Sequence, residues 1–163
     1  MRASVNPVLE SRRRKAQDEY QLGLAFYKKK QWKTAARHFG QADQKAGYDD
    51  IYMHLYMSYQ GLCQVLSADV SGLNLCRHAA SMETLQPAVF LNLAVAELKL
   101  RHRKRACSAI RQGLRLDPRH NELRGLRHRI GSRRKPCLQF LSRDNLLNKW
   151  LGRVTYQRLS AAY

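Results

Sequence analysis

Four cysteines, six histidines and twelve Asp+Glu are the side chains here with the most chemistry to offer. Their spacing decides what they can do. Cys63, Cys76, Cys107 and Cys137 never form a CxxC pair. A zinc site or a redox dithiol needs closely spaced thiols, because one turn must bring both sulfurs to one point. These thiols read instead as reduced, small buried hydrophobes, the usual state in a cytosolic protein. His38, His54, His78, His102, His120 and His128 show neither HExxH nor another paired ligand spacing. Asp49 and Asp50 are adjacent carboxylates where turn and helix-cap chemistry is expected. No glycine-rich phosphate loop, nucleophile elbow or Walker sequence occurs. The residues point to a non-enzymatic protein with no catalytic residues, no metal site and no cofactor.

Charge is the other chemical resource. The 163 residues carry a formal net charge of +18, with 30 Lys+Arg. Such a surplus attracts polyanions: nucleic acid, anionic lipid or acidic protein. It is unevenly placed. Residues 1–45 carry 11 basic and 4 acidic side chains, residues 46–98 only Arg77 against 5 acidic, and residues 99–135 carry 14 basic and 2 acidic. A hydrophobic content of 44% is enough for a folded core, so wholesale disorder is not expected. No secretory signal and no stretch long enough to span a membrane is visible. The expected location is cytoplasmic, with organellar import left open by the basic residues Arg12 to Lys15.

The elements that must position these residues follow a period. Residues 87–118 show two blocks of small and apolar residues at helical spacing. Phe90, Leu93 and Ala94, with the polar Glu97 one turn on, form the first block, and Ala106, Ile110 and Gly113 the second. Asp117-Pro118 stops the second helix. One step of about 34 residues earlier, Tyr56, Tyr59, Gln60, Cys63, Gly72, Cys76 and Ala79 take the same slots. Leu22, Gly23, Phe26, Ala35, Phe39 and Ala42 take them again after a small shift.

This pattern resembles the tetratricopeptide repeat (TPR) family, whose unit is two antiparallel helices. The resemblance implies an all-α, right-handed TPR-like solenoid of about three helical hairpins, a capping helix and a C-terminal amphipathic helix. Residues 1–15 are expected as a basic flexible arm. Residues 16–134 form the solenoid, with repeats at 16–49, 53–86 and 87–120 and a lone helix at 121–131. Residues 135–163 form the tail. Repeat 2 is the degenerate one, because Gln60 stands in its small-residue slot. Gly23 costs helix propensity, which close helix contact would offset.

In the TPR family the first helices of successive repeats line a concave groove. The resemblance then implies a partner groove of Tyr20, Leu24 and Tyr27, His54, Met57 and Gln64, and Leu91, Val95 and Leu98. Exposed, so apolar a surface would be a binding site; the alternative is that it is covered by the chain's own tail. The carboxylate clamp of chaperone-binding TPR adaptors is not expected. Its slots would hold Tyr20, Leu24, Ser58, Ala88 and Asn92, and four of the five lack the Lys, Asn or Arg required.

Basic clusters recur at equivalent hairpin turns. Lys28, Lys29 and Lys30 fall at the first, and Arg101, Arg103, Lys104 and Arg105 at the third. Arg133, Arg134 and Lys135 follow the lone helix. Stacked turns would make these a basic edge. Arg111, Arg115, Arg119, Arg124, Arg127 and Arg129 form a second basic set on helix surfaces. In the tail, Leu147, Trp150, Leu151 and Val154 share one helical face behind Asp144 and Asn145. The expected function is a protein-interaction adaptor that holds a partner peptide in the groove and meets an acidic surface with its edge. The alternative is a nucleic-acid- or ribosome-associated factor, and membership of a larger assembly is compatible with both.

Overall fold

The computed structural model describes residues 7–47 and 50–131 and, within the tail, Leu146, Leu147 and Trp150. Seven α-helices are defined among the described residues: α1 Pro7–Lys28, α2 Trp32–Lys45, α3 Met53–Leu66, α4 Gly72–Met82, α5 Pro87–Lys99, α6 Arg103–Leu116 and α7 Asn121–Ile130. No strand occurs among them. The chain divides into two compact units, Met1–Arg129 and Ile130–Tyr163.

Within the first unit the helices pair as hairpins, α1 with α2, α3 with α4 and α5 with α6. Neighbouring hairpins join through α2 on α3, and through α3 and α4 on α5. Leu123 of α7 then closes over Gly113 of α6. Each pair buries small residues against larger ones, with Ala35, Phe39, Ala42, Cys63, Cys76, Ala79, Ala94 and Ala106 fully covered. This is the all-α helical-hairpin solenoid that the period implied.

Close approach explains the glycines that break helix propensity. A Cβ on Gly23 would lie 2.6 Å from the Phe39 ring. A Cβ on Gly61 would lie 2.4 Å from the Gly72 carbonyl oxygen, and the converse distance is the same. Gly61, and not Gln60, is therefore the small residue on which the second hairpin closes. Gln60 instead reaches Gly40 of α2. Repeat 2 is less degenerate than its sequence frame suggested, because its first helix sits one residue out of that frame.

The three hairpin turns share one geometry. Lys30, Ala68 and Arg101 all have positive φ, of 58°, 73° and 63°. Behind each, an N–H closes on a carbonyl five residues back: Gln31 to Phe26, Asp69 to Gln64 and His102 to Glu97, at 2.8–3.0 Å. This left-handed closure satisfies carbonyls that the helix end would otherwise orphan. The first and third turns leave three residues between helices, whereas the second, from Leu66 to Gly72, leaves five. Asp69 Oδ1 organises the extra length by accepting from the Ser71 N–H and hydroxyl.

The expected flexible arm is helical from Pro7 onward, as part of α1. Proline suits a helix's first turn, and Glu10 there favours the positive end of the helix dipole. Glu10 also pairs with Arg14 at 3.9 Å, and no glycine interrupts residues 7–22.

Candidate functional site

The first helices of the hairpins place side chains on a common face, and α7 extends that face as a seventh element. They enclose a pocket of about 690 Å³. Tyr27 of α1, Tyr59 and Leu62 of α3, and Leu91, Asn92 and Val95 of α5 form one side. Glu122, Gly125, Leu126, His128 and Arg129 of α7 form the other. The floor is apolar and the α7 rim is charged, so the pocket suits a side chain or short segment that buries apolar surface beside polar groups.

The tyrosines are fixed in place. Tyr59 stacks on Phe39 with centroids 5.0 Å apart and meets Tyr20 at 5.7 Å and Tyr27 at 5.8 Å, edge to face. Tyr27 also meets the Trp32 ring at 5.2 Å. Burial pushes the Tyr27 hydroxyl up to about 12 and raises that of Tyr59 as well. Both remain neutral, as a pocket wall that donates and accepts hydrogen bonds requires. Asn92, buried beneath, donates from Nδ2 to Ser58 Oγ at 2.9 Å. The Ser58 hydroxyl in turn donates to the Leu55 carbonyl at 2.8 Å. Two of the five slots compared with a carboxylate clamp, Ser58 and Asn92, are thus tied to each other.

Of the groove residues read from sequence, Tyr27, Leu91 and Val95 come together in the pocket. Tyr20 and Leu24 pack instead on the cluster of Ala35, Phe39 and Cys63. Met57 packs on Leu55, Ala79 and Val89. His54 lies 3.6 Å from Glu83, whose other oxygen accepts the Thr84, Leu85 and Gln86 N–H groups. Gln64 lies against Gly72, inside its own hairpin. Leu98 is half-buried and outside the pocket lining. The residues that sequence missed follow from the shifted frame: with Gly61 as the small residue, Leu62 becomes the groove-facing neighbour. On α7, Glu122, Gly125 and Arg129 are the second, fifth and ninth residues from Asn121, the same spacing used for the earlier first helices.

Of the basic edge, Lys28, Lys29, Lys30, Arg101, Lys104 and Arg105 are exposed, and Arg103 is half-buried. Lys30 and Arg101 occupy the same left-handed turn position. Arg103, Lys104 and Arg105 belong to the first turn of α6, not to the turn itself. Arg133, Arg134 and Lys135 lie outside the described residues, as do Leu151 and Val154 of the tail; Leu147 and Trp150 are helical. Two of the four cysteines behave as packed hydrophobes, whereas Cys107 is half-buried and Cys137 lies outside the described residues. Cys63 and Cys76 are fully covered, and burial pushes both thiols up to about 12. Among the described residues no group of three or more His, Cys, Asp or Glu is placed to hold a metal ion. Nor is any helix there long and apolar enough to cross a membrane.

Hairpins of this length, stacked through small residues and carrying a lined pocket on their first helices, define a TPR-like fold. A solved structure of the same architecture is the Arabidopsis OM64 TPR domain. It superimposes with a TM-score of 0.58 at 19% identity, covering 73% of this chain and 96% of that one. At that identity the likeness is one of fold. No family model matches the sequence, and no curated protein matches it.

Proposed function

We propose that this chain is a protein-interaction module that seats a segment of a partner protein in the groove of α1, α3, α5 and α7. The observation that carries this reading is the pocket of about 690 Å³, open to solvent and walled by Leu62, Leu91, Val95, Leu126 and two immobilised tyrosines. Pre-ordered aromatic walls favour binding because little side-chain freedom is lost on contact. The fold shared with the OM64 TPR domain supports it. Basic residues at the hairpin turns, Lys28 to Lys30 and Arg101, would meet acidic residues flanking the bound segment and set its direction.

Leu91→Asp is the informative substitution, because Leu91 is half-buried and lines the pocket. Tyr27→Asp would also break the aromatic contacts that hold the first two hairpins. In pull-downs from nuclease-treated extract, the wild type should retain a stoichiometric protein that Leu91→Asp loses while keeping its helicity and thermal midpoint. Equal retention by both proteins would overturn the groove reading.

A further inference from the structure

Apart from Arg129, the second basic set has no place in the groove, since the pocket takes neither its other members nor any residue from α6. Helix α6 buries Ala106, Ala109, Ile110 and Gly113. Lys104, Arg111 and Arg115 fall on the opposite side at helical spacing, and all are exposed. They run in one line over about 16 Å of helix axis. Arg124 and Arg127 are exposed on the adjacent α7. None of these five makes an ion pair with a described residue. Only Asp117 and Glu122 oppose them in the surrounding sequence.

Their placement works against the fold. The first turn of α6 holds Arg103, Lys104 and Arg105 and no acidic residue. A helix N-terminus carries the positive end of the dipole and favours anions, so cations there are repelled. A charge pattern serving only the helix would be the reverse. The same N-terminus, with its positive dipole end and added cations, is a favourable seat for phosphate.

We propose that the outer face of α6, with Arg124 and Arg127 of α7, binds the phosphodiester backbone of duplex nucleic acid without reading its sequence. The line of cations matches a continuous polyanion, since a duplex presents on the order of ten charges over about 16 Å. Arginine predominates, and its planar fork suits phosphate oxygens. Residues 99–135 contain no Phe, Tyr or Trp, so stacking on unpaired bases is not available and the duplex is favoured over single strands. A membrane surface fits less well. Of the exposed large hydrophobics, α6 and α7 supply only Leu116, too little to insert among lipid tails.

The test is fluorescence anisotropy of the full chain with short duplex RNA and duplex DNA of arbitrary sequence, titrated across salt concentration. The comparison is the triple variant Lys104→Gln, Arg111→Gln, Arg115→Gln, whose positions are all exposed. The wild type should bind both duplexes with a steep salt dependence. The variant should bind at least ~10-fold more weakly, with a log–log salt slope shallower by roughly two to three. Leu91→Asp should bind duplex like the wild type, which separates this surface from the groove. An unchanged affinity and slope in the triple variant overturns the proposal. So does tighter binding to a single strand, to polyglutamate or to phosphatidylglycerol vesicles at the same salt.

Discussion

Glu19 on α1 accepts hydrogen bonds from His38 Nδ1 at 2.8 Å and from Lys45, both on α2. The His38 ring also stacks on Phe26 at 5.1 Å, so its position is fixed. The hydrogen bond from His38, then that from Lys45, holds the Glu19 carboxyl below its ordinary value of 4.5. A carboxyl depressed in the folded state stabilises the fold above its unfolded value and loses that contribution as pH falls through the folded one. Glu19→Gln should therefore be less stable than the wild type at neutral pH, and the gap should close on acidification below about pH 4.5. Urea midpoints of both proteins across that range check this, and a gap constant into acid would refute it. No local spacing signals this contact, because Glu19 and His38 meet only once α1 and α2 fold back on each other. The cysteines were readable at this scale: with no close spacing to exploit, burial was the remaining use for Cys63 and Cys76.

At the scale of elements, periodicity anticipated an all-α solenoid of helical hairpins, but not that α1 begins as early as Pro7. Small residues and apolar spacing are local properties of the chain, so they survive without knowledge of the fold. The frame of repeat 2 did not survive. Positive-φ residues Ala68 and Arg101 lie one residue closer together than a 34-residue step would put them, and a constant step therefore selected Gln60 over Gly61. One substitution tests that frame, and a second, in α7, gives the contrast of an uncrowded helical glycine. Gly61→Ala forces a methyl to 2.4 Å from the Gly72 carbonyl oxygen and should cost about 1–3 kcal/mol. Gly125→Ala meets nothing within 4 Å and, inside α7, should stabilise by roughly 0.5–1 kcal/mol. Chemical denaturation of both variants reads the result. If Gly61→Ala were neutral, the one-residue shift would be wrong. The role of α7 is hidden in the sequence for a related reason: a lone helix after the last hairpin has no second helix to mark it as another first helix.

Across the whole solenoid, stability depends on contacts between neighbouring hairpins, because each repeat touches only the next. The joint between the second and third contains a buried carboxylate. Glu97 of α5 is 2% exposed, accepts from Arg77 Nε of α4 at 2.9 Å, and meets His102 Nδ1 at 2.7 Å. Arg77→Ala would leave that carboxylate with a single partner and should cost on the order of 3 kcal/mol. Because the cost falls on one joint, hydrogen exchange should show α5 to α7 losing protection before α1 and α2 do. Uniform loss along the chain would instead mean that the repeats unfold as one body. Sequence placed Glu97 in a consensus slot without exposing its partners, since Arg77 arrives from the preceding repeat. The turns carry a different consequence. The second one already holds two residues more than its counterparts, yet it closes with the same left-handed geometry before the extra length begins. Val70 and Ser71 are exposed and lie beyond that closure. They form a natural grafting point, where a fluorophore or short reporter could be carried without disturbing the helices on either side.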